Sequence, residues 1–216
     1  MSVTPTKLKK RALGELVAAE LHTRLDLADL LDAESAWTPW RFRMIKQLHQ
    51  AGIPRASWPQ HWHWNWVHKL LSKGTLDIGG ALSPLRLMGV KCEDEWQGLV
   101  LATCLGHQSR IAKGGMDLLY LKYLESAPWN LVVNEIGQEP RYSGVGRQLM
   151  ELGVRLSEAM DFRGRIGLHA LPQADGFYRH CGMTDLGDDP RFEDLRYFEM
   201  TEEQARAFLN PGRTNR

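Results

Sequence analysis

The chain is poor in cysteine and has no long hydrophobic run. Its 216 residues include three cysteines, Cys92, Cys104 and Cys181, which lie far apart and form no C-x-x-C pair. This spacing argues against a disulfide-stapled scaffold and a zinc knuckle, and it favours a reducing compartment. No window approaches 18 uninterrupted apolar residues, and residues 1–11 have no apolar core behind their basic residues. We therefore expect a cytoplasmic protein with no membrane partner.

The chain also lacks an excess of charge of either sign. It has 27 Lys and Arg against 26 Asp and Glu, for a formal net charge of +1. Dense clusters of Lys and Arg, which are typical of nucleic-acid-binding domains, are missing, although the N-terminal part is mildly basic. A nucleic-acid partner is therefore not expected but stays open. With 43% hydrophobic and 25% charged residues, the composition indicates a globular chain that can form a core without disulfides or metal.

The first 78 residues are predicted to form a helical N-terminal segment that packs on the core. In residues 7–32, apolar side chains recur at steps of three and four, which predicts one long amphipathic helix. Thr38-Pro39 predicts the start of a second helix that ends near Gly52. A third helix is expected from near Ser57 or Pro59 to Gly74, with Trp62 and Trp66 on one face.

Residues 79–216 are predicted to form an α/β domain. Three short apolar runs, 85–92, 98–105 and 118–124, predict an antiparallel meander. A helical pattern from Gln148 to Met160, followed by an apolar run at 166–171, predicts a βαβ step with a right-handed crossover. A short helix at 176–180, a strand at 195–200 and a helix capped by Thr201 follow. The predicted fold class is thus a mixed, mostly antiparallel sheet flanked by helices.

One loop has the composition of a phosphate site, namely Arg141-Tyr142-Ser143-Gly144-Val145-Gly146-Arg147. Its two glycines let the backbone turn tightly and let an anion approach the N–H groups, and the helix that follows adds partial positive charge. A dinucleotide fingerprint is excluded because Leu149 stands where the third glycine belongs. A Walker loop is excluded because no Gly-Lys-Ser/Thr follows.

This loop resembles the acyl-CoA loop of the GNAT superfamily of N-acetyltransferases, in which Arg/Gln-x-x-Gly-x-Gly/Ala begins a helix. Residues 176–183 are similar to the family's Phe/Leu-Tyr-x-x-x-Gly-Phe segment, with Met183 in place of the aromatic residue. The resemblance implies a GNAT-like fold, acetyl-CoA as acyl donor and a primary amine as acceptor. It also implies that the backbone N–H groups of residues 142–147 hold the CoA pyrophosphate. The strand that ends near Glu125 is expected to splay from strand 166–171 to admit the pantetheine arm.

The resemblance also suggests catalytic residues. Tyr178 matches the family's proton donor, since a phenol with a pKa of about 10 stays protonated at neutral pH and can protonate the departing thiolate. A backbone N–H at Glu125 or Ser126 is expected to stabilise the oxyanion. Glu125 is the candidate base, His169 is an alternative, and a water chain would leave neither essential. Leu171 replaces an asparagine that is common in the family, which leaves the surroundings of Tyr178 open.

The acceptor site is sought in two tryptophan-bearing segments. Six of the eight tryptophans lie between Trp37 and Trp66, and Trp64 with His63 could form an acceptor pocket, a dimer contact or a stacking platform. A long loop at 126–140 contains Trp129, and it could cover the acyl site or shape the acceptor pocket. Conservative packing of these tryptophans stays an alternative. A metal site is not expected, because His61 and His63 would lie about 200° apart on a helix.

These features predict an acetyltransferase that uses acetyl-CoA and needs no metal. Two alternatives stay open. The chain could be a catalytically silent CoA-binding regulatory protein, or a toxin-like modifier of amines on protein or RNA. A homodimer is also possible, because exposed tryptophans could form a subunit contact.

Overall fold

A computed structural model describes residues 3–71 and 83–211 of the chain. Within these residues there are nine strands: β1 Val3–Lys10, β2 Glu15–His22, β3 Leu85–Cys92, β4 Glu95–Thr103, β5 Leu119–Ser126, β6 Tyr142–Ser143, β7 Ile166–Ala170, β8 Thr184–Asp189 and β9 Leu195–Met200. The helices there are α1 Leu27–Gln50, α2 Trp66–Leu71, α3 Val145–Ala159, α4 Asp175–His180 and α5 Glu202–Leu209. None of the helices in the described ranges is long and apolar enough to cross a membrane.

The described strands form one mixed sheet. Its order is β6-β1-β2-β3-β4-β5-β7-β9-β8. The pairs β1–β2, β1–β6, β2–β3, β7–β9 and β8–β9 are antiparallel, whereas β5 and β7 are parallel. The predicted fold class, a mostly antiparallel sheet flanked by helices with a helical N-terminal element, is therefore confirmed.

The chain divides into two compact units. The first unit comprises Met1–Leu99 and Leu124–Leu149, and the second comprises Val100–Tyr123 and Met150–Arg216. The boundary that we predicted between residues 78 and 79 lies outside the described residues and stays a prediction.

In the first unit, the helix predicted over residues 7–32 is wrong. Strands β1 and β2 form a hairpin there, with Lys10 paired to Glu15 across a turn in which Gly14 has a φ of +70°. The hairpin buries Leu8, whereas Leu13 and Leu16 are 61% and 65% exposed. The helical spacing of these leucines was thus coincidental, because strand pairing and not an amphipathic face organises the segment.

The helix α1, of 24 residues, joins the end of the first predicted helix and most of the second into one continuous helix. Asp26 caps it, with its carboxylate accepting from the N–H of Asp29 while the Asp29 side chain accepts from the N–H of Asp26. Pro39 lies inside this helix instead of starting a second one, so one backbone hydrogen bond is lost there. The predicted stop at Gly52, where φ is +68°, is confirmed.

The third predicted helix is mostly wrong. Up to residue 71, where the described part of this segment ends, the α-helical part is α2, and Trp62 lies in a turn before it. The ring of Trp62 packs edge-on against Trp58, which belongs to a core cluster with Met44 and Leu48. The predicted end at Gly74 lies outside the described residues.

The meander and the second unit agree with the sequence prediction. Strands β3, β7 and β9 lie within a residue of their predicted bounds, and β4 and β5 overlap their predicted runs. The helix α3 covers the pattern predicted from Gln148, and α5 has the predicted cap, since the Thr201 hydroxyl accepts from the N–H of Gln204. Strands β6 and β8 were missed, because a two-residue strand and the polar run at 184–189 have no apolar alternation.

Candidate active site

The predicted phosphate loop joins β6 to α3 in the first unit. Strand β6 pairs with the end of β1, placing Lys9 opposite Ser143 and Lys10 opposite Tyr142. The chain then turns at Gly144, whose φ of +94° favours glycine. Apart from its chain neighbours, no atom of the described residues lies within 4 Å of the position of a Cβ there. Gly144 is therefore required by its backbone angle and not by crowding, and the space beside it is open.

The first turn of α3 supplies backbone donors beside this open space. The first N–H groups of a helix have no partner within the helix, and this first turn carries no acidic side chain. The N–H of Gln148 donates to Gly144 O at 3.0 Å, which is a regular bond of the helix between residues four apart. The geometry therefore suits an anion at Val145 and Gly146.

Tyr142 is a weaker candidate than the sequence suggested. Its backbone N–H donates to Asn130 Oδ1 at 3.0 Å, and its hydroxyl donates to Glu93 Oε2 at 2.7 Å. Because the N–H is already used, its predicted part in holding pyrophosphate is not supported by this arrangement. Its contribution is to anchor the loop through Asn130.

The position of Arg141 is set by aromatic rings. Its guanidinium lies 4.6 Å from the Trp40 ring centre and 5.0 Å from that of Trp129, and Nη1 is 3.4 Å from Glu95 Oε2. The side chain is 42% exposed. Cation–π contacts of this kind hold the guanidinium in place while part of it stays accessible.

Gly98 on β4 fixes the start of α3, and sequence reasoning missed it. A Cβ at this position would lie 2.7 Å from Val145 Cγ1 and 2.9 Å from Leu149 Cδ1. Only glycine therefore allows α3 to approach the strand this closely. The one available sequence signal was a glycine within an otherwise apolar run.

Glu125 lies at the end of β5, as predicted, but it is not solvated. Its side chain is 1% exposed, and it accepts from Trp66 Nε1 at 2.6 Å and from Arg41 Nη2 at 3.4 Å. Burial is the main reason that the pKa of this carboxyl rises to about 7, against the lowering effects of Arg41 and Trp66. A carboxyl with this pKa can take up a proton near neutral pH.

Glu125 belongs to a buried polar cluster that sequence reasoning missed. Glu34 on α1 lies 3.4 Å from Arg41 Nη1 and accepts from the backbone N–H of Trp66 at 2.7 Å. Thr38 also donates to Glu34, at 2.9 Å. We call Glu34, Arg41, Trp66 and Glu125 the buried ion cluster. Its one sequence signal was a Glu and an Arg seven residues apart beside the apolar face of α1.

His61 lies beside this cluster. Its Nε2 atom is buried, has no hydrogen-bond partner within residues 3–71 and 83–211, and lies 3.9 Å from Glu125 Oε1. Burial, followed by repulsion from Arg41, lowers the pKa of His61 to about 4, so the ring is neutral at physiological pH. In the described part of the chain, no group of three His, Cys, Asp or Glu residues is arranged to bind a metal ion.

A cavity of about 270 Å³ opens next to the cluster. It is lined by Thr38, Arg41, Phe42, Ile45, Trp62, His63, Trp64 and Asn65. Trp64 and His63, which we predicted near an acceptor, are thus wall residues. Lys69 Nζ lies 3.9 Å from the centre of the Trp64 ring, so this ring already has a cation of the chain against it.

Trp129, the second predicted substrate contact, is a packing residue. It is 2% exposed, its Nε1 donates to Gln97 Oε1 at 2.8 Å, and its ring packs edge-on against Trp37 and Trp40. A direct contact with an acceptor is not supported by this burial. Its effect on the site acts through the ring contact with Arg141.

Tyr178 belongs to the second unit, on α4. Its ring is buried between Phe177 and Phe198, with ring centres 5.2 and 5.7 Å away. Burial raises the pKa of the phenol well above its usual value of about 10, so the hydroxyl keeps its proton at any physiological pH. Its predicted role as proton donor stays a prediction.

His169, the alternative base, is held on both ring nitrogens. Nδ1 lies 2.7 Å from the Tyr120 hydroxyl and Nε2 lies 3.2 Å from Asp189 Oδ2. The side chain is also stacked on Phe192, at 3.9 Å between ring centres. With both nitrogens engaged, His169 stabilises the second unit and is a poor candidate for a base.

The parallel ladder between β5 and β7 is short, as a splay requires. It contains two residue pairs, Leu119 with Ile166 and Tyr120 with Gly167. Strand β7 continues to Ala170 and keeps pairing with β9 on its other side. The predicted splay of these strands, which would admit the pantetheine arm, stays a prediction.

No family model and no curated protein sequence matches the chain. The chain is similar to a number of solved structures, and several of these are GNAT-family or other acetyltransferases. One is a GNAT-family acetyltransferase from Listeria monocytogenes, with 13% identity, coverage of 85% of this chain and 95% of that one, and a TM-score of 0.48. Another is the Bacillus subtilis N-acetyltransferase YlbP in complex with coenzyme A, with 12% identity, 86% and 97% coverage, and a TM-score of 0.46.

A third similar structure is a variant of the toxin AtaT bound to the C-terminus of the antitoxin AtaR and acetyl-CoA. It shares 15% identity, covers 69% of this chain and 82% of its own, and has a TM-score of 0.42.

Proposed function

We propose that this protein transfers an acetyl group from acetyl-CoA to a primary amine. The observation that carries the proposal is the loop before α3. Gly144 has a left-handed backbone with open space beside it, and the helix that follows presents N–H groups without acidic side chains. This is the backbone geometry that a pyrophosphate needs.

The donor is held mainly by backbone atoms in this proposal. The N–H groups of Val145 and Gly146 bind the pyrophosphate, and Ser143 and Gly144 shape the turn. Arg141, held over two indole rings, adds positive charge at the edge of the loop. Tyr142 keeps the loop attached to Asn130.

The chemistry needs a neutral amine, a stabilised oxyanion and a proton for the thiolate. Glu125 takes one proton from the ammonium, and its pKa of about 7 suits this exchange near neutral pH. The amine nitrogen then forms a bond to the thioester carbonyl carbon, and a backbone N–H at Glu125 or Ser126 stabilises the oxyanion. The C–S bond breaks, Tyr178 protonates the thiolate, and the second proton of the nitrogen is lost to solvent. Solvent then reprotonates the Tyr178 phenolate, and Glu125 releases its proton to solvent.

The acceptor is placed in the cavity beside the buried ion cluster. Trp64 and His63 line its wall. Trp129 is assigned an indirect role, through its ring contact with Arg141.

Titration calorimetry with acetyl-CoA tests the donor site. We expect binding in the micromolar range, where the free energy of binding is about −8 kcal/mol. Absence of heat at hundreds of micromolar would remove the cofactor from the proposal. Release of free thiol that depends on an added amine then tests transfer.

A second function is favoured by one observation. Glu125 is fully buried and already has two hydrogen-bond donors, so its carboxylate serves the structure as well as any reaction. A protein that binds CoA as a signal without turnover has the same loop. Binding of acetyl-CoA with no thiol release across a broad panel of amines would assign this regulatory function.

A further inference from the structure

Another cavity lies in the second unit, where α3 ends. Its volume is about 450 Å³, within the range of roughly 300 to 1,000 Å³ that is usual for ligand sites. Its walls come from residues 115–117, which precede β5, and from the turn at 160–165, which joins α3 to β7. The cavity shares no residue with the glycine loop, which lies before the other end of α3.

Arg165 is the buried charged residue of this cavity. It is 7% exposed, and its Nε donates to the backbone oxygen of Asp117 at 3.1 Å. Its terminal nitrogens, Nη1 and Nη2, form no hydrogen bond or ion pair with any described residue, and neither is sealed from solvent. Because Arg165 lines the cavity and the rest of its side chain is covered, we infer that these nitrogens face the cavity. Four of the five guanidinium N–H donors are thus available to a ligand.

The backbone of Arg165 is held firmly in place by three hydrogen bonds. Its carbonyl oxygen accepts from the Leu119 N–H at 3.1 Å and from the buried Ser157 hydroxyl at 2.7 Å. Its N–H donates to the Phe162 oxygen at 3.0 Å. Since the anchor of the side chain is fixed and Nε is already bonded, the guanidinium loses little freedom when it binds a planar anion.

The charges around the cavity limit how negative that anion can be. Asp117 and Asp161 also line the wall, and α3 ends beside it at Ala159 with the negative end of its dipole. Arg163 is 62% exposed and lies 3.6 Å from Glu202, so it offsets little of this negative charge. A carboxylate with one negative charge is therefore favoured over a phosphate group, which carries about 1.5 to 2.

The cavity also has an apolar part. Met116, Met160 and Phe162 line it, and Met116 is 44% exposed. Methionine side chains are flexible and adapt to apolar groups of irregular shape. A ligand with a carboxylate and a short apolar body therefore uses both parts of the cavity, since a guanidinium fork matches a carboxylate in bidentate geometry.

We propose that this cavity binds a small monocarboxylate with an apolar body. The carboxylate oxygens accept from Nη1 and Nη2 of Arg165, and the apolar body packs against Met116, Met160 and Phe162. The cavity is then a second ligand site of the chain, and it does not depend on the proposed acetyl transfer.

NMR titration of the intact chain, with isotope-labelled methionine methyl groups, tests this site. The probe is hexanoate, compared with 1-hexanol, which lacks the charge, and with inorganic phosphate, which lacks the apolar body. We expect hexanoate to shift the methyl signals of Met116 and Met160, while Met88, which is fully buried on β3, stays unchanged. Its Kd should be on the order of a millimolar, and at least about tenfold below that of either comparison ligand.

Three results of this titration would overturn the proposal. The first is the absence of a shift at Met116 and Met160 with hexanoate at about twenty times the expected Kd. The second is binding of 1-hexanol as tight as that of hexanoate, which would remove the contact with Arg165. The third is tighter binding of phosphate, which would assign the cavity to a different class of anion.

A variant tests the guanidinium directly. Arg165→Lys keeps the positive charge but removes the fork, so it should weaken hexanoate at least about fivefold and leave 1-hexanol unchanged. Arg155→Lys, on the exposed face of α3 and paired with Glu151, is the matched control and should leave hexanoate unchanged. Unchanged hexanoate affinity in Arg165→Lys would contradict the assigned contact.

A pair of variants at the exposed Met116 keeps the test decisive if Arg165→Lys does not fold. Met116→Asp and Met116→Asn remove the same apolar contact, and the aspartate adds a negative charge at the cavity. At low ionic strength, hexanoate should bind Met116→Asp at least about threefold more weakly than Met116→Asn, whereas 1-hexanol should bind both equally. Equal hexanoate affinity in the two variants would place the carboxylate elsewhere.

Discussion

Two buried titratable groups, Glu125 and His61, should contribute to the free energy of unfolding with opposite dependences on pH. These two contributions should largely cancel in the wild-type protein. Burial raises the pKa of Glu125 from 4.5 to about 7 and lowers that of His61 from 6.5 to about 4. Between pH 4.5 and 6.5 the folded chain therefore keeps Glu125 protonated and His61 neutral. The unfolded chain does the reverse, with an ionised carboxylate and a protonated imidazole.

The sign of each contribution follows from the protons bound in each state. For Glu125 the folded state binds more, so its contribution to the free energy of unfolding falls as pH rises from 4.5 to 7. For His61 the unfolded state binds more, so its contribution grows as pH rises from 4 to 6.5. Each effect amounts to about 3 kcal/mol over its full range, at about 1.4 kcal/mol for each tenfold change in proton affinity.

Single variants should reveal how much each group contributes to the change of the free energy of unfolding with pH. Relative to wild type, Glu125→Gln removes the falling term, so its free energy of unfolding should rise by about 1 kcal/mol from pH 5 to pH 6. His61→Gln removes the rising term, so its value should fall by about 1 kcal/mol over the same step. Other titrating groups are common to all three proteins, and they cancel in the comparison.

Urea unfolding at pH 5 and pH 6, at one ionic strength, measures these differences. Unchanged m-values would show that the variants alter stability and not the extent of unfolding. The two variants should diverge by about 2 kcal/mol between the two pH values. Parallel curves for all three proteins would refute the reasoning and show that neither group is buried in the form described.

Three further predictions concern single side chains. Gly144→Ala should cost about 1 kcal/mol of stability and weaken acetyl-CoA at least about tenfold, whereas Gly52→Ala, at a similar left-handed φ, should cost the same stability and leave binding intact in calorimetry. Tyr178→Phe should lower kcat about a hundredfold with unchanged acetyl-CoA affinity. The control, Tyr120→Phe, should lose about 1 kcal/mol of stability and keep kcat. Equal kcat values for the two variants would contradict the role of Tyr178 as proton donor. Trp129→Phe should destabilise the chain by about 1 to 3 kcal/mol with no change in the KM for the amine, and a raised KM would restore a direct substrate contact.

Local patterns predicted most of the second half of the chain. Strands β3, β7 and β9 are short apolar runs between turn residues, and α5 begins at a Thr that a Gln follows three residues later. In these segments the preference of each residue agrees with the structure around it. The glycine loop was predictable for the same reason, because its backbone dihedral angles depend on residues within the loop itself.

The N-terminal prediction was wrong because local spacing competed with a distant partner. Leu13, Leu16 and Leu21 have helical spacing, yet the hairpin places Leu21 inside and leaves the other two exposed. Pairing of β2 with β3, about 70 residues away, stabilises the strand, and no pattern within residues 7–32 contains that information.

The sequence alone determined the glycine loop, the helix that follows it and the short apolar strands of the sheet, because each depends on residues close together in the chain. Only the tertiary structure decided the chemistry around Glu125. It buries Glu125 with Arg41 and His61, which lie 84 and 64 positions away along the chain. The pKa values of Glu125 and His61 depend on removal from water beside specific partners. Burial of that kind arises only when distant segments pack together.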